Sequence, residues 1–214
     1  TIAGAVEGQT ELGVYAVSIN GSTVTIESGG SVTGATGAIT TDSAVAPGDA
    51  VNDTVTLNAG GSVSGAIRLL AGADTFNDAG GTFTAVYGGD GVDTVNFSGA
   101  GRTINGSGGA GDALREFEIF NFNSGGFELA GVHVGLDAVN FLAGANSVSG
   151  SIGATTTTIA SGASLDAADG ASFGGALVNN GALSLGGDAG ATVSAGSFEQ
   201  GVNGALTISA NDLL

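Results

Sequence analysis

Three stretches of this chain say the same thing. Residues 51–61 read VNDTVTLNAGG, residues 73–81 read ADTFNDAGG and residues 92–99 read VDTVNFSG. Thr56-Leu57-Asn58 is followed 19 residues later by Thr75-Phe76-Asn77, and 19 later again by Thr94-Val95-Asn96. A fixed short period of this kind means that one coil of chain is laid on the next. Helical heptads do not produce a period of 19–20 residues rich in Gly and β-branched residues. Short strands separated by tight corners do: Gly supplies the corner conformations and Thr, Val and Ile suit the strands. The apolar residue of each triplet gives a ladder, Leu57, Phe76, Val95, Phe120, Val139, Ile159, Val178 and Phe198, with spacings of 19, 19, 25, 19, 20, 19 and 20. The expectation is an all-β parallel β-helix of about ten coils of 19–20 residues, on the order of 50 Å tall at about 4.8 Å per coil.

The remainder reads as continuation of that stack. Residues 22–34 (STVTIESGGSVTG) match residues 53–65 (DTVTLNAGGSVSG) at an offset of 31. The intervening segment holds the single proline, Pro47, and reads as a longer coil with a loop near 36–51. A second long coil falls near 105–114, where the ladder jumps by 25. Residues 12–17 alternate as a strand. The aromatic segment 115–123 changes parity near Ile119, which suggests a corner there and a core role for Phe117, Phe120 and Phe122. Asn58, Asn77, Asn96, Asn121 and Asn140 recur at one coil position. Two readings stand side by side: an axial ladder of amide hydrogen bonds, or residues that tolerate the corner conformation.

Gly supplies 42 of 214 residues, which alone would suit a low-complexity chain, but 42% hydrophobic residues in alternation give enough apolar surface to order it. Twenty acids stand against three arginines and no lysine, for a net charge of −17. That balance argues against nucleic acid, whose phosphates need clustered cations, and against anionic membrane surfaces. With no cysteine there is no disulfide or thiolate chemistry. No apolar run reaches the roughly 18–20 residues of a membrane helix. The composition fits a secreted or cell-surface bacterial protein, and a start at Thr1 without Met fits a processed or excised piece.

Candidate chemistry is sparse. GGDGVDTV, residues 88–95, fits the calcium nonapeptide pattern, in which Gly corners expose carbonyls and Asp supplies a carboxylate. Asp74, Asp93 and Asp112 recur every 19 residues. The pattern is complete only once, so a Gly/Asp corner with a solvated carboxylate is the favoured reading and calcium the alternative ligand. Asp166 with Asp169, and Glu116 with Glu118, read as surface charge rather than a glycosidase pair. His133 is the one histidine, and its alternation with Val132 and Val134 places it outward on a strand. The expectation is no enzyme: no catalytic, cofactor-binding or metal-ligating residues are assigned.

Two segments resemble the passenger domains of bacterial autotransporters, secreted β-solenoids of the pertactin type. In the first, residues 52–131, the repeated D-T-hydrophobic-N coils are followed by a coil marked by Phe117, Glu118, Phe120, Asn121, Phe122, Asn123, Gly126, Phe127, Leu129 and Gly131. In the second, residues 178–212, Asn179, Asn180, Gly181, Leu183, Gly196, Phe198, Gln200, Gly204 and Leu206 match a C-terminal autochaperone-like region. The resemblance implies a single right-handed β-helix, with passenger repeats over 1–177 and autochaperone-like coils over 178–214 that nucleate folding. It further implies a Gram-negative source and an extracellular or outer-membrane-surface location. The function expected is a stalk, adhesin or self-associating surface structure, with a calcium-binding surface protein as the alternative. Self-association is expected through solenoid ends or faces, the host or cell-surface ligand is not identified, and any membrane link runs through a downstream β-barrel that this chain does not contain.

Overall fold

The computed structural model describes residues 1–8, 12–35, 37–43, 50–109, 112–186 and 192–208. Pro47, residue 36 and residues 44–49 of the loop expected near 36–51 lie outside the described residues, as do residues 110–111 of the expected long coil, while Gly37–Ser43 of that loop is a strand rather than a loop. Among the described residues every regular element is a strand and there is no helix. The strands form the parallel stacked coils of a β-solenoid, about nine turns. The chain divides into two compact units, Thr1–Gly99 with Ala110–Glu118, and Ala100–Gly109 with Ile119–Leu214.

In the first unit, Thr23–Ile26, Thr54–Asn58, Thr75–Ala79 and Thr94–Phe97 run side by side in parallel. Their inward row is Val24, Val55, Phe76 and Val95. A second sheet orders Ala5–Gly8, Ser31–Gly34, Ser62–Arg68, Thr82–Tyr87 and Leu114–Arg115. Leu12–Ser18 joins that sheet through Gly37–Ser43. The expected offset of 31 is the register itself: Thr23 pairs with Thr54 and Ser31 with Ser62. The core is made by the alternate residues of each strand, including Ile26, Leu57, Phe76 and Phe97, all with no exposure.

The second unit repeats the plan. Ile119–Phe122, Ala138–Phe141, Thr156–Ile159, Ser172–Asn179 and Ser194–Gln200 form one parallel face. Thr103–Ile104, Glu128–Leu129, Gly144–Val148, Ala163–Ala167, Ala182–Leu185 and Ala205–Ile208 form another. Phe122 and Phe141 occupy neighbouring coils with rings 5.1 Å apart and 17° from parallel. Such a pair contributes about 0.5–1.5 kcal/mol beyond its burial. The expected boundary between 177 and 178 falls inside the strand Ser172–Asn179.

The expected ladder needs three corrections. Phe76 stacks on Val55, 21 residues back, not on Leu57. Val139 stacks on Thr157 rather than Ile159, and Thr157 on Leu177 rather than Val178. The first two are slips of two residues. A two-residue slip keeps every side chain on its own face, so the hydrophobic pattern does not register it. The third is a one-residue error: Leu177 is 2% exposed while Val178 is half-buried on the outer face.

The recurring asparagines form an axial amide ladder within each unit. Asn96 Nδ2 donates to Asn77 Oδ1 at 2.9 Å, and Asn77 Nδ2 donates to Thr56 Oγ1 at 3.1 Å. Asn140 Nδ2 donates to Asn121 Oδ1 at 2.9 Å. Asn58 stands outside it, because register places Thr56 on that rung; its Nδ2 donates to Glu27 Oε2 at 2.7 Å instead.

Candidate functional site

The residue just before three of the four strands of this face in the first unit is an acid: Asp53, Asp74 and Asp93 precede Thr54, Thr75 and Thr94, while Ser22 precedes Thr23. Because the strands are in register, these acids stack one coil apart. Each accepts a backbone N–H from the coil before it. Asp53 Oδ1 accepts from Ser22, Asp74 Oδ1 from Asp53 at 2.6 Å, and Asp93 Oδ1 from Asp74 at 2.7 Å. Glu118 Oε2 closes the column by accepting from Asp93 at 2.7 Å. The acids tie off amides at corners where the strand ladder has not yet begun.

The expected solvated carboxylates are therefore corrected. Asp53, Asp74 and Asp93 are 1%, 1% and 0% exposed, and the Oδ2 atom of each is buried without a hydrogen-bond partner. Burial pushes the Asp74 carboxyl up to about 7 and that of Asp93 up to about 6. Hydrogen bonds from the backbone oppose these shifts, and neighbouring carboxylates reinforce them. The structure brings Asp74 and Asp93 together as their spacing suggests. Asp112 does not join them; Glu118 takes the rung, and the Asp112 carbonyl accepts from Arg115 Nε at 2.8 Å. The 25-residue step from Asp93 to Glu118 equals the jump already visible from Val95 to Phe120. That equality, with the Asp-Thr pair repeated from Asp53, was the signal that identifies the two unassigned members.

The calcium pattern is split by the fold. Asp90 is exposed on the short strand Asp90–Gly91, which pairs with Ala71–Gly72, while Asp93 is interior. Among the described residues no group of three or more acidic or imidazole side chains is arranged to hold a metal ion. Two of the three arginines are engaged elsewhere: Arg68 and Arg115 lie over the ring of Tyr87 at 4.6 and 5.1 Å. Asp166, Asp169 and Glu116 are exposed, and Asp169 Oδ1 accepts the Thr192 N–H at 2.9 Å.

His133 is also corrected. It has no exposure, whereas Val132 and Val134 are 60% and 45% exposed. Its row holds Ile152 on the next coil and Phe173 beyond, so position, not polarity, sets its direction. Ser107, 2% exposed, bridges to it on the preceding coil with Oγ 3.2 Å from Nδ1. Ser107 and His133 thus form a polar pair set within a core row.

The second candidate is the last coil of the second unit. Among the described residues, Ser194–Gln200 pairs only with Ser172–Asn179 and Ala205–Ile208 only with Ala182–Leu185, so each has one edge with no described partner strand. Register puts Phe198 over Leu177 and Leu206 over Leu183, continuing the core rows. Nothing among the described residues covers them. Phe198, Leu206 and Ile208 are 45%, 41% and 46% exposed, and Phe198 and Leu206 line, with Leu177, Leu183 and Leu185, an apolar cavity of about 260 Å³.

Comparison with protein-family models, with curated proteins and with solved structures returns no match.

Proposed function

We propose that the chain is a non-enzymatic structural β-solenoid of a bacterial cell surface, of the autotransporter-passenger type, and that it self-associates through its last coil. The observation that carries this reading is the open coil of the second unit. Its core rows continue in Phe198, Leu206 and Ile208, and among the described residues each of its strands has one edge without a partner strand. An exposed strand edge is a template for another strand, and an open apolar layer gains by burial at about 25 cal/mol per Å². The occupant is a second copy of this chain. Across residues 192–208 the only charge is Glu199, against −17 for the whole chain, so copies meet there with the least mutual repulsion. The resemblance of residues 178–212 to autochaperone-like coils supports the passenger reading. The two-fold meeting of like ends is the simplest closed assembly.

Sedimentation velocity over a concentration series tests the association. The wild-type chain is expected to shift to a larger species as concentration rises, and Leu206→Lys with Ile208→Lys to remain monomeric while keeping its β-structure. A wild-type chain that stays monomeric at the highest concentration overturns the self-association reading.

A further inference from the structure

The buried acids of the first unit have a consequence independent of self-association. Three Oδ2 atoms, on Asp53, Asp74 and Asp93, are enclosed and without partners. Successive rungs are about 4.8 Å apart. The charged groups that act on Asp74 are Asp53 and Asp93, and those that act on Asp93 are Glu118, Glu116 and Asp90. Every one is an acid. A desolvated carboxylate beside others of like charge does not remain ionised; it takes up a proton or a cation.

The space decides which. Gly88 packs so closely on the column that a methyl group there would sit 2.7 Å from Asp93 Oδ2 and 1.9 Å from the Glu116 carbonyl oxygen. At Gly72 the same group would meet Asp74 Oδ1 at 2.9 Å and the Val51 carbonyl oxygen at 2.1 Å. Backbone of the neighbouring coil thus packs directly against Asp93 and Asp74. Calcium takes about six to eight oxygens, and no such set of side chains gathers among the described residues.

We propose that Asp74 and Asp93, stacked on successive coils, form a proton-binding site, in which the folded unit takes up protons on their enclosed Oδ2 oxygens as pH falls through neutrality, to the exclusion of metal cations. Asp74 and Asp93, one rung apart, therefore titrate as a coupled pair. A proton on Oδ2 leaves Oδ1 free to accept the backbone N–H from the coil before. The hydrogen-bonded corner and the uncharged interior are therefore satisfied together. The first unit takes up protons when it folds, and its stacking is favoured in acidic surroundings.

Carboxyl-carbon NMR of the folded, aspartate-labelled chain tests this directly. At least one of the Asp74 and Asp93 carboxyls is expected to titrate near neutrality, and midpoints for both near the ordinary 3.8 overturn the proposal. Asp74→Asn mimics the protonated side chain without its titration, and is expected to flatten the fall in melting temperature between about pH 5 and pH 8. An unchanged fall in a folded Asp74→Asn chain also overturns it. If that variant does not fold, the wild-type titration decides alone. Millimolar calcium against EDTA is the third arm: no movement of the column resonances at neutral pH is expected, and a calcium-dependent shift of them shows a metal site and overturns proton occupancy.

Discussion

Asp93 Oδ1 accepts the backbone N–H of Asp74 at 2.7 Å, and Asp74 Oδ1 accepts that of Asp53 at 2.6 Å. One acid per coil thus fastens the corner of the coil before it. Asp93→Ala removes the acceptor and leaves the Asp74 N–H buried and unpaired, which costs about 1–3 kcal/mol. Urea denaturation should show a loss in that range, and a loss below about 0.5 kcal/mol contradicts the fastening role.

The same column sets the pH dependence. Folded Asp74 and Asp93 titrate at about 7 and about 6, against an ordinary 3.8. The folded state therefore binds more protons than the unfolded state between these values, and stability falls as pH rises through them. The contribution is fully present below about pH 3.8 and lost once both groups are ionised. Urea midpoints of the wild-type chain should be lower at about pH 8 than at about pH 5; a midpoint that rises across that interval reverses the sign and contradicts the account.

The amide ladder separates two asparagines that look alike in sequence. Asn77 bridges Asn96 and Thr56 with one accepted and one donated bond. Asn77→Ala breaks both, for about 1–2 kcal/mol at roughly 0.5–1.5 per bond. Asn58→Ala loses one bond to Glu27 at the rim and should cost less than Asn77→Ala. Equal losses in thermal denaturation count against a ladder on the Thr56 rung.

The autochaperone-like positions are likewise unequal. Leu183 is 2% exposed under the last coil, whereas Phe198 is 45% exposed on it. Leu183→Asp places a charge in the core and should unfold the second unit, at about 3 kcal/mol or more. Phe198→Asp should leave far-ultraviolet β-signal intact and cost less. Loss of all β-structure in Phe198→Asp would instead place that side chain in the folding nucleus.

At Gly89 the chain turns with φ +113°, and a methyl group would lie 1.6 Å from the Leu70 carbonyl oxygen. Gly170 also has a positive φ, +78°, but opens onto space. Gly89→Ala should therefore cost more than about 2 kcal/mol and Gly170→Ala about 1 kcal/mol. Comparable melting temperatures for the two variants contradict the close approach of these coils.

The period, the all-β class and the Gly corners were legible because each coil repeats the same local chemistry. The Leu57 rung was misplaced because its neighbour Val55 is also apolar and shares its face, so nothing in the pattern separates an offset of 19 from one of 21. The inward turn of His133 was not legible because a two-residue strand carries no usable alternation, and its row is fixed by Ile152 on the next coil. The acids were read as solvated because Asp beside Gly suggests a surface corner. What encloses them is the coil above and below, which only register reveals. The open C-terminal layer has the same origin: Phe198 and Leu206 look like ordinary core residues until the absence of a covering coil among the described residues is seen.

Hydrogen–deuterium exchange of the last coil across a protein-concentration series tests the central claim most directly. If copies of the chain meet on this coil, amides of Ser194–Gln200 and Ala205–Ile208 gain protection as concentration rises, while those of Thr23–Ile26 and Thr54–Asn58 do not change. Protection of the last coil that is independent of concentration, or concentration-dependent protection confined to other strands, contradicts it.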